Sequence, residues 1–72
     1  MKLLELETEQ TVNREELAAQ LRELADSLAR HNEISFKREG LQYRVKVPND
    51  VNVEVEIEIG EDGTSLEIEM SW

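Results

Sequence analysis

The longest unbroken pattern in the chain runs over residues 51–59, where valine and isoleucine alternate with asparagine and glutamate. Successive side chains of a β-strand point to opposite faces, so this segment would place its apolar side chains on one face and its polar side chains on the other. One buried face and one wet face are typical of an antiparallel sheet. The chain is therefore expected to fold around a sheet with an apolar face and an acidic face.

The same period of two recurs along the chain and predicts five strands, at residues 4–8, 34–37, 41–47, 51–59 and 66–72. Turn-forming sequences separate the last four strands, at residues 38–40, 48–50 and 60–63. Connections this short predict an antiparallel meander. The loop at 48–50 would set Arg44 opposite Glu54 on the wet face, and the apolar residues would also match in this register.

Between the first two strands the period changes to that of a helix, over residues 14 to about 30. Leucines at 17, 21, 24 and 28 fall on one stripe. Asn13 is suited to cap the amide of Glu16, and Asn32 is suited to the left-handed residue that ends a helix. The element order is β-α-β-β-β-β. We predict a single α+β domain over residues 1–72: a mostly antiparallel five-stranded sheet with one helix packed on one face.

The formal net charge of −9 disfavours nucleic acid and anionic membrane surfaces as partners, because both require clustered cations. It permits a basic protein or a cation as a partner. The chain has no long apolar run of the kind that crosses a membrane, and its N-terminus lacks the apolar core of a signal peptide. These features predict a soluble, cytoplasmic protein.

The sequence contains no arrangement of residues that indicates catalysis. It has no cysteine and a single histidine, so thiolate and multi-histidine metal sites are excluded. Phosphate-binding and dinucleotide-binding glycine motifs are also missing. His31 is best explained as a residue at the C-terminal end of the helix. We expect a protein that is not an enzyme and that uses no cofactor.

The last strand ends on Trp72, the only tryptophan. Trp72 could close one end of the core, or it could anchor a partner, because tryptophan is enriched at interface hot spots. A single helix covers two or three strands, so five strands would leave surplus apolar surface. Strong sheet twist could hide that surface, and so could a second subunit. We favour a homodimer, with Trp72, Met70, Ile57 and Val55 as the candidate interface.

The opposite face of the last two strands carries a row of glutamates: Glu54, Glu56, Glu58, Glu67 and Glu69. A solvated face that keeps the protein soluble and prevents sheet stacking explains the row most simply. The alternative is an acidic binding module that recruits a basic protein or cations. The spacing is not that of a calcium-binding loop.

Four features together resemble the amphi-Trp domain, a small prokaryotic family of about this length. They are the Leu-Glu-Leu-Glu start, the helix "REELAAQLRELADSL", the alternating acidic strands and the terminal "EIEMSW". The resemblance covers essentially the whole chain and implies a stand-alone copy of the domain. Because the family has no established activity, the resemblance implies a domain of unknown function and assigns no catalytic residue. The expected role is a small interaction domain.

Overall fold

The computed structural model describes residues 4–5 and 7–72. One helix is followed by four strands. The helix α1 is continued by a single π-helical turn before the first strand begins. The bounds are α1 Arg14–Asp26, the π-helical turn Ser27–His31, β1 Glu33–Arg38, β2 Leu41–Lys46, β3 Asn52–Gly60 and β4 Gly63–Ser71.

The predicted helix is confirmed, together with both of its end signals. The side chain of Asn13 accepts a hydrogen bond of 2.7 Å from the amide of Glu16, which would otherwise lack a partner at the helix start. The last turn widens to a π-helix, and Asn32 ends it in the left-handed region, with φ 54° and ψ 32°. Asparagine tolerates this conformation better than most residues do, which explains why the helix stops there.

Removing the cap should destabilise the helix selectively. Asn13→Ala is expected to lower the stability of the fold by about 0.5–2 kcal/mol, because the amide of Glu16 loses its acceptor. Thermal unfolding followed by far-UV circular dichroism measures the change. Thr11→Ala is the matched control, since it also shortens a polar side chain just before the helix. Equal effects of the two substitutions would contradict a capping role for Asn13.

The described strands form two separate antiparallel hairpins, β1–β2 and β3–β4. The prediction of one five-stranded sheet is therefore wrong, although the α+β class, the single helix and the antiparallel pairing are confirmed. The predicted first strand at 4–8 is not formed at the residues described there, and Leu6 lies outside the described residues.

The turn between β1 and β2 is confirmed. Its two residues, Glu39 and Gly40, both have positive φ, which matches a type I′ hairpin.

The connection between β2 and β3 contains a residue that cannot extend a sheet. The amide of Val47 donates a 2.8 Å hydrogen bond to the carbonyl of Asn32, which continues the β1–β2 ladder by one residue beyond the pair Glu33 and Lys46. Pro48 follows and has no amide hydrogen to offer a sheet. The predicted pairing of Arg44 with Glu54 is wrong. Arg44 lies opposite Ser35 in one hairpin, and Glu54 lies opposite Glu69 in the other.

The β3–β4 hairpin, residues 52–71, is called the arm, and residues 14–51 are called the body. Among the described elements, extended packing is confined to each hairpin, to α1 with its π-helical turn, and to that turn with β1. The base of the arm contributes Met70 to a cavity of about 230 Å³. Its other lining residues all belong to the body: Leu28, Asn32, Val47, Pro48, Asn49 and Val51.

No residue in the described part of the chain is buried. The chain exposes 7197 Å², whereas a compact folded protein of its mass, 8.3 kDa, exposes about 4,600 Å². Its radius of gyration is 14.3 Å, against about 11 Å for a compact domain of this length. One copy of the chain therefore leaves its apolar faces open to water instead of enclosing a core.

Candidate functional site

The candidate interface lies on one face of the arm. Antiparallel pairing sets Val53 opposite Met70, Val55 opposite Ile68, and Ile57 opposite Leu66. Because each such pair shares a face, the predicted interface residues Val55, Ile57 and Met70 come together on one surface. This apolar face of the arm consists of Val53, Val55, Ile57, Ile59, Leu66, Ile68 and Met70.

Exposure of the apolar face rises from the base of the arm to its tip. Met70 at the base is half-buried in the cavity described above. Along β3 the exposed fraction increases from 57% at Val53 to 67% at Ile57 and 82% at Ile59. If the body covered this face, the exposed fraction would stay low along its whole length. The arm therefore projects from the body with its apolar residues unprotected.

Trp72 follows directly after β4, at the base of the arm, and is 51% exposed. Half of its surface is therefore in contact with water, and it does not close a core within one chain. A half-exposed tryptophan still has apolar ring surface that contact with another molecule would remove from water.

A second apolar surface lies on helix α1, and sequence reasoning did not identify it as a site. Leu17, Leu21 and Leu24 are between 36% and 50% exposed. The period of 3.6 residues revealed this leucine stripe, but the stripe was expected to pack under the chain's own sheet. In the structure Leu24 lines a cavity of about 230 Å³ together with Ile34 of β1, and Leu28 is half-buried in the π-helical turn that packs on β1.

The acidic face lies on the opposite side of the arm. Glu54 faces Glu69 and Glu56 faces Glu67 across the ladder, while Glu58 faces Ser65. The first four carboxylates line an open depression of about 310 Å³. All five predicted residues therefore share one surface. Like charges that are directly opposite in a ladder repel, so this face lowers the stability of the isolated arm.

Reversing one of these charges should relieve the repulsion. Glu67→Lys is expected to stabilise the chain by a few tenths of a kcal/mol up to about 1 kcal/mol, because it places an ammonium group opposite Glu56. Chemical denaturation at low and high salt measures the gain, which should shrink as salt increases. Glu61→Lys in the turn changes net charge equally without a glutamate opposite. A larger gain from that control would contradict the pairwise explanation.

Charge is divided unevenly between the two parts of the chain. The arm contains seven acidic residues and no lysine or arginine: Glu54, Glu56, Glu58, Glu61, Asp62, Glu67 and Glu69. The body contains seven acidic and seven basic residues, so its formal charge is zero. Contact between two arms therefore combines two parts of the same net charge, whereas contact between an arm and a body does not.

Within residues 4–5 and 7–72, no group of three or more histidine, aspartate or glutamate side chains is positioned to hold a metal ion. None of the helices there is long and apolar enough to cross a membrane.

Comparison with known proteins gives one match. The model of the Amphi-Trp domain family matches residues 1–72. No curated protein and no solved structure matches the chain significantly.

Proposed function

The chain belongs to the Amphi-Trp domain family, and we propose that it works as a non-enzymatic interaction module that forms a homodimer through the apolar face of the arm and Trp72. The observation that carries the proposal is the lack of any buried residue in the described chain. A domain normally removes its large apolar side chains from water to offset the entropy lost on folding. Here that burial requires a second molecule.

The excess exposed area of the chain is similar to the area that one chain buries in an obligate homodimer. The chain exposes about 2,600 Å² more than a compact protein of its mass. Obligate homodimers bury about 2,000–5,000 Å² in total, or about 1,000–2,500 Å² from each chain. One interface of this class accounts for most of the excess. Small domains without disulfides commonly gain stability by oligomerisation, and this chain has no cysteine.

Solution mass by multi-angle light scattering, at low and at high salt, tests the proposal. We expect a dimer that persists or becomes tighter in high salt, because salting-out ions strengthen apolar burial and screen the repulsion between acidic arms. A monomer at every concentration and salt would contradict self-association. A dimer that dissociates in high salt would mean that charge, not apolar burial, holds the chains together.

A second candidate function is recruitment of a basic protein or of cations by the acidic face. The facing pairs Glu54–Glu69 and Glu56–Glu67 favour it, because a bound positive charge would relieve their repulsion. Binding of a lysine-rich peptide, measured by calorimetry, tests it. The expected affinity falls as salt increases and falls further in Glu56→Gln. Affinity that is independent of salt would contradict this candidate.

We also propose that neither nucleic acid nor an anionic membrane is a partner. The arm carries seven negative charges and no positive ones, and the body is neutral. A polyanion is bound by clustered lysine and arginine side chains, which the arm does not provide.

A further inference from the structure

We infer that the dimer is held together by exchange of arms, in which the apolar face of each arm lies across the leucine stripe of helix α1 in the other chain. The inference rests on the proposed homodimer and specifies what covers each surface. Both surfaces are open in one copy of the chain: the arm exposes Ile57 and its neighbours, and the helix exposes Leu17 and Leu21. A two-fold arrangement would cover both surfaces twice with one interface.

The dimensions of the two surfaces agree. From Val53 to Ile59 the apolar face of the arm extends about 20 Å at 3.4 Å per residue. Helix α1 has 13 residues, which span about 20 Å at 1.5 Å per residue. The two strands of the arm present a ribbon about 10 Å wide, and a helix with its side chains has a similar diameter. One helix therefore fits one arm along its full length.

Net charge favours the helix over a second arm as the covering surface. Two arms stacked on their apolar faces would keep their glutamates on the outside, but each arm still carries seven acidic residues and no cation. Helix α1 of a second chain carries four acidic and two basic residues, a formal charge of −2, and its body as a whole has no net charge. The long-range repulsion is therefore smaller when an arm meets a helix than when it meets a second arm. Face-to-face arms would also leave Leu17 and Leu21 in water.

The arm meets its own body at its base. The bond from Val47 to Asn32 continues the β1–β2 ladder and leaves the 47–51 connection beside the end of the helix. The described contacts of the arm with its own body are concentrated at its base, around Met70, and its exposure increases toward the tip. An arm that is anchored at one end and open at the other is suited to reach a neighbouring molecule.

Two single substitutions separate arm exchange from the alternatives. Ile57→Lys alters the arm alone, and Leu21→Lys alters the helix alone. Arm exchange predicts that each variant by itself dimerises more weakly than the parent chain, at least about tenfold for Leu21→Lys and at least about 100-fold for Ile57→Lys. It also predicts that an equimolar mixture recovers dimers in part, because the intact arm of the Leu21→Lys chain can bind the intact helix of the Ile57→Lys chain, which gives one intact interface where either variant alone has none. Both introduced residues are lysine, so the mixture gains no new ion pair.

Three other outcomes would contradict the arm exchange. If the Leu21→Lys chain dimerises like the parent and the Ile57→Lys chain does not, the dimer exists but the arms contact each other, and the exchange is wrong. If both variants are monomeric and the mixture stays monomeric, the exchange is also wrong. If the parent chain itself is a monomer, the proposed homodimer fails and the inference fails with it.

A disulfide experiment covers the case in which Leu21→Lys does not fold. The chain has no cysteine, so one can be introduced at a single site. When Leu21→Cys and Ile57→Cys chains are mixed and oxidised mildly, arm exchange predicts that the mixed disulfide forms faster than either homodisulfide. Glu56→Cys is the control, because its side chain lies on the opposite face of the same strand and should not cross-link to position 21. Rapid formation of the Ile57→Cys homodisulfide alone would overturn the exchange.

Discussion

Replacing Ile57 with lysine is expected to convert the dimer into a monomer, with dissociation at least about 100-fold more favourable than in the parent chain. Ile57 lies at the middle of the apolar face, opposite Leu66. An ammonium group there would be buried without a partner when the dimer forms, and that cost opposes association. Because the substitution reduces the negative charge of the arm, weaker binding cannot be attributed to added repulsion. Sedimentation equilibrium measures the change.

Glu56→Gln provides the matched control for Ile57→Lys. It also makes the arm less negative by one charge, at the adjacent position, but on the acidic face. The dimer should be unaffected or slightly tighter. If Glu56→Gln weakened the dimer as much as Ile57→Lys does, the apolar face would not be the interface. If Ile57→Lys left a stable dimer, the two chains would have to meet on some other surface.

Trp72→Ala is expected to weaken the dimer about 30-fold or more, equivalent to about 2 kcal/mol, which is the range of interface hot spots. Its side chain is 51% exposed and follows directly after β4. Burial of the remaining ring surface on association would remove apolar area from water that alanine cannot replace. Light scattering over a concentration series gives the change in affinity.

The fluorescence of Trp72 gives a second test of its burial in the dimer. Trp72 is the only tryptophan, so its fluorescence should shift to shorter wavelength as the parent chain associates. Leu41→Ala is the control for loss of an exposed apolar side chain, because Leu41 lies in the turn region of β1–β2, outside both proposed surfaces. An equal loss of affinity from Leu41→Ala would contradict an anchoring role for Trp72, as would an emission spectrum that does not change with concentration.

Local structure was predictable from the sequence because it depends on neighbouring residues. Asn13 caps the helix and Asn32 ends it, as expected, since both roles are decided within a few residues. The strands after the helix and the turns at 39–40 and 61–62 also follow from alternation and turn chemistry. The candidate interface and the acidic face lie on opposite sides of β3–β4, as the period of two required.

Tertiary arrangement was not predictable in the same way. Matching faces made the pairing of Arg44 with Glu54 attractive, but the structure pairs β2 with β1 and β3 with β4. Alternation fixes the two faces of a strand without saying which strands are neighbours. The leucine stripe of α1 was recognised, yet periodicity identifies an apolar face without saying which surface covers it. For the same reason the arm could not be recognised as a projecting element.

The most direct test of coupled folding and association is the thermal unfolding midpoint of the parent chain over a hundredfold range of protein concentration. A chain that acquires a core only as a dimer unfolds and dissociates in one step, so its midpoint must rise with concentration. We expect a rise of roughly 3–6 °C for each tenfold increase. A cooperative transition with the same midpoint at every concentration would mean that one chain is stable alone, and would contradict the dimer as the folded unit.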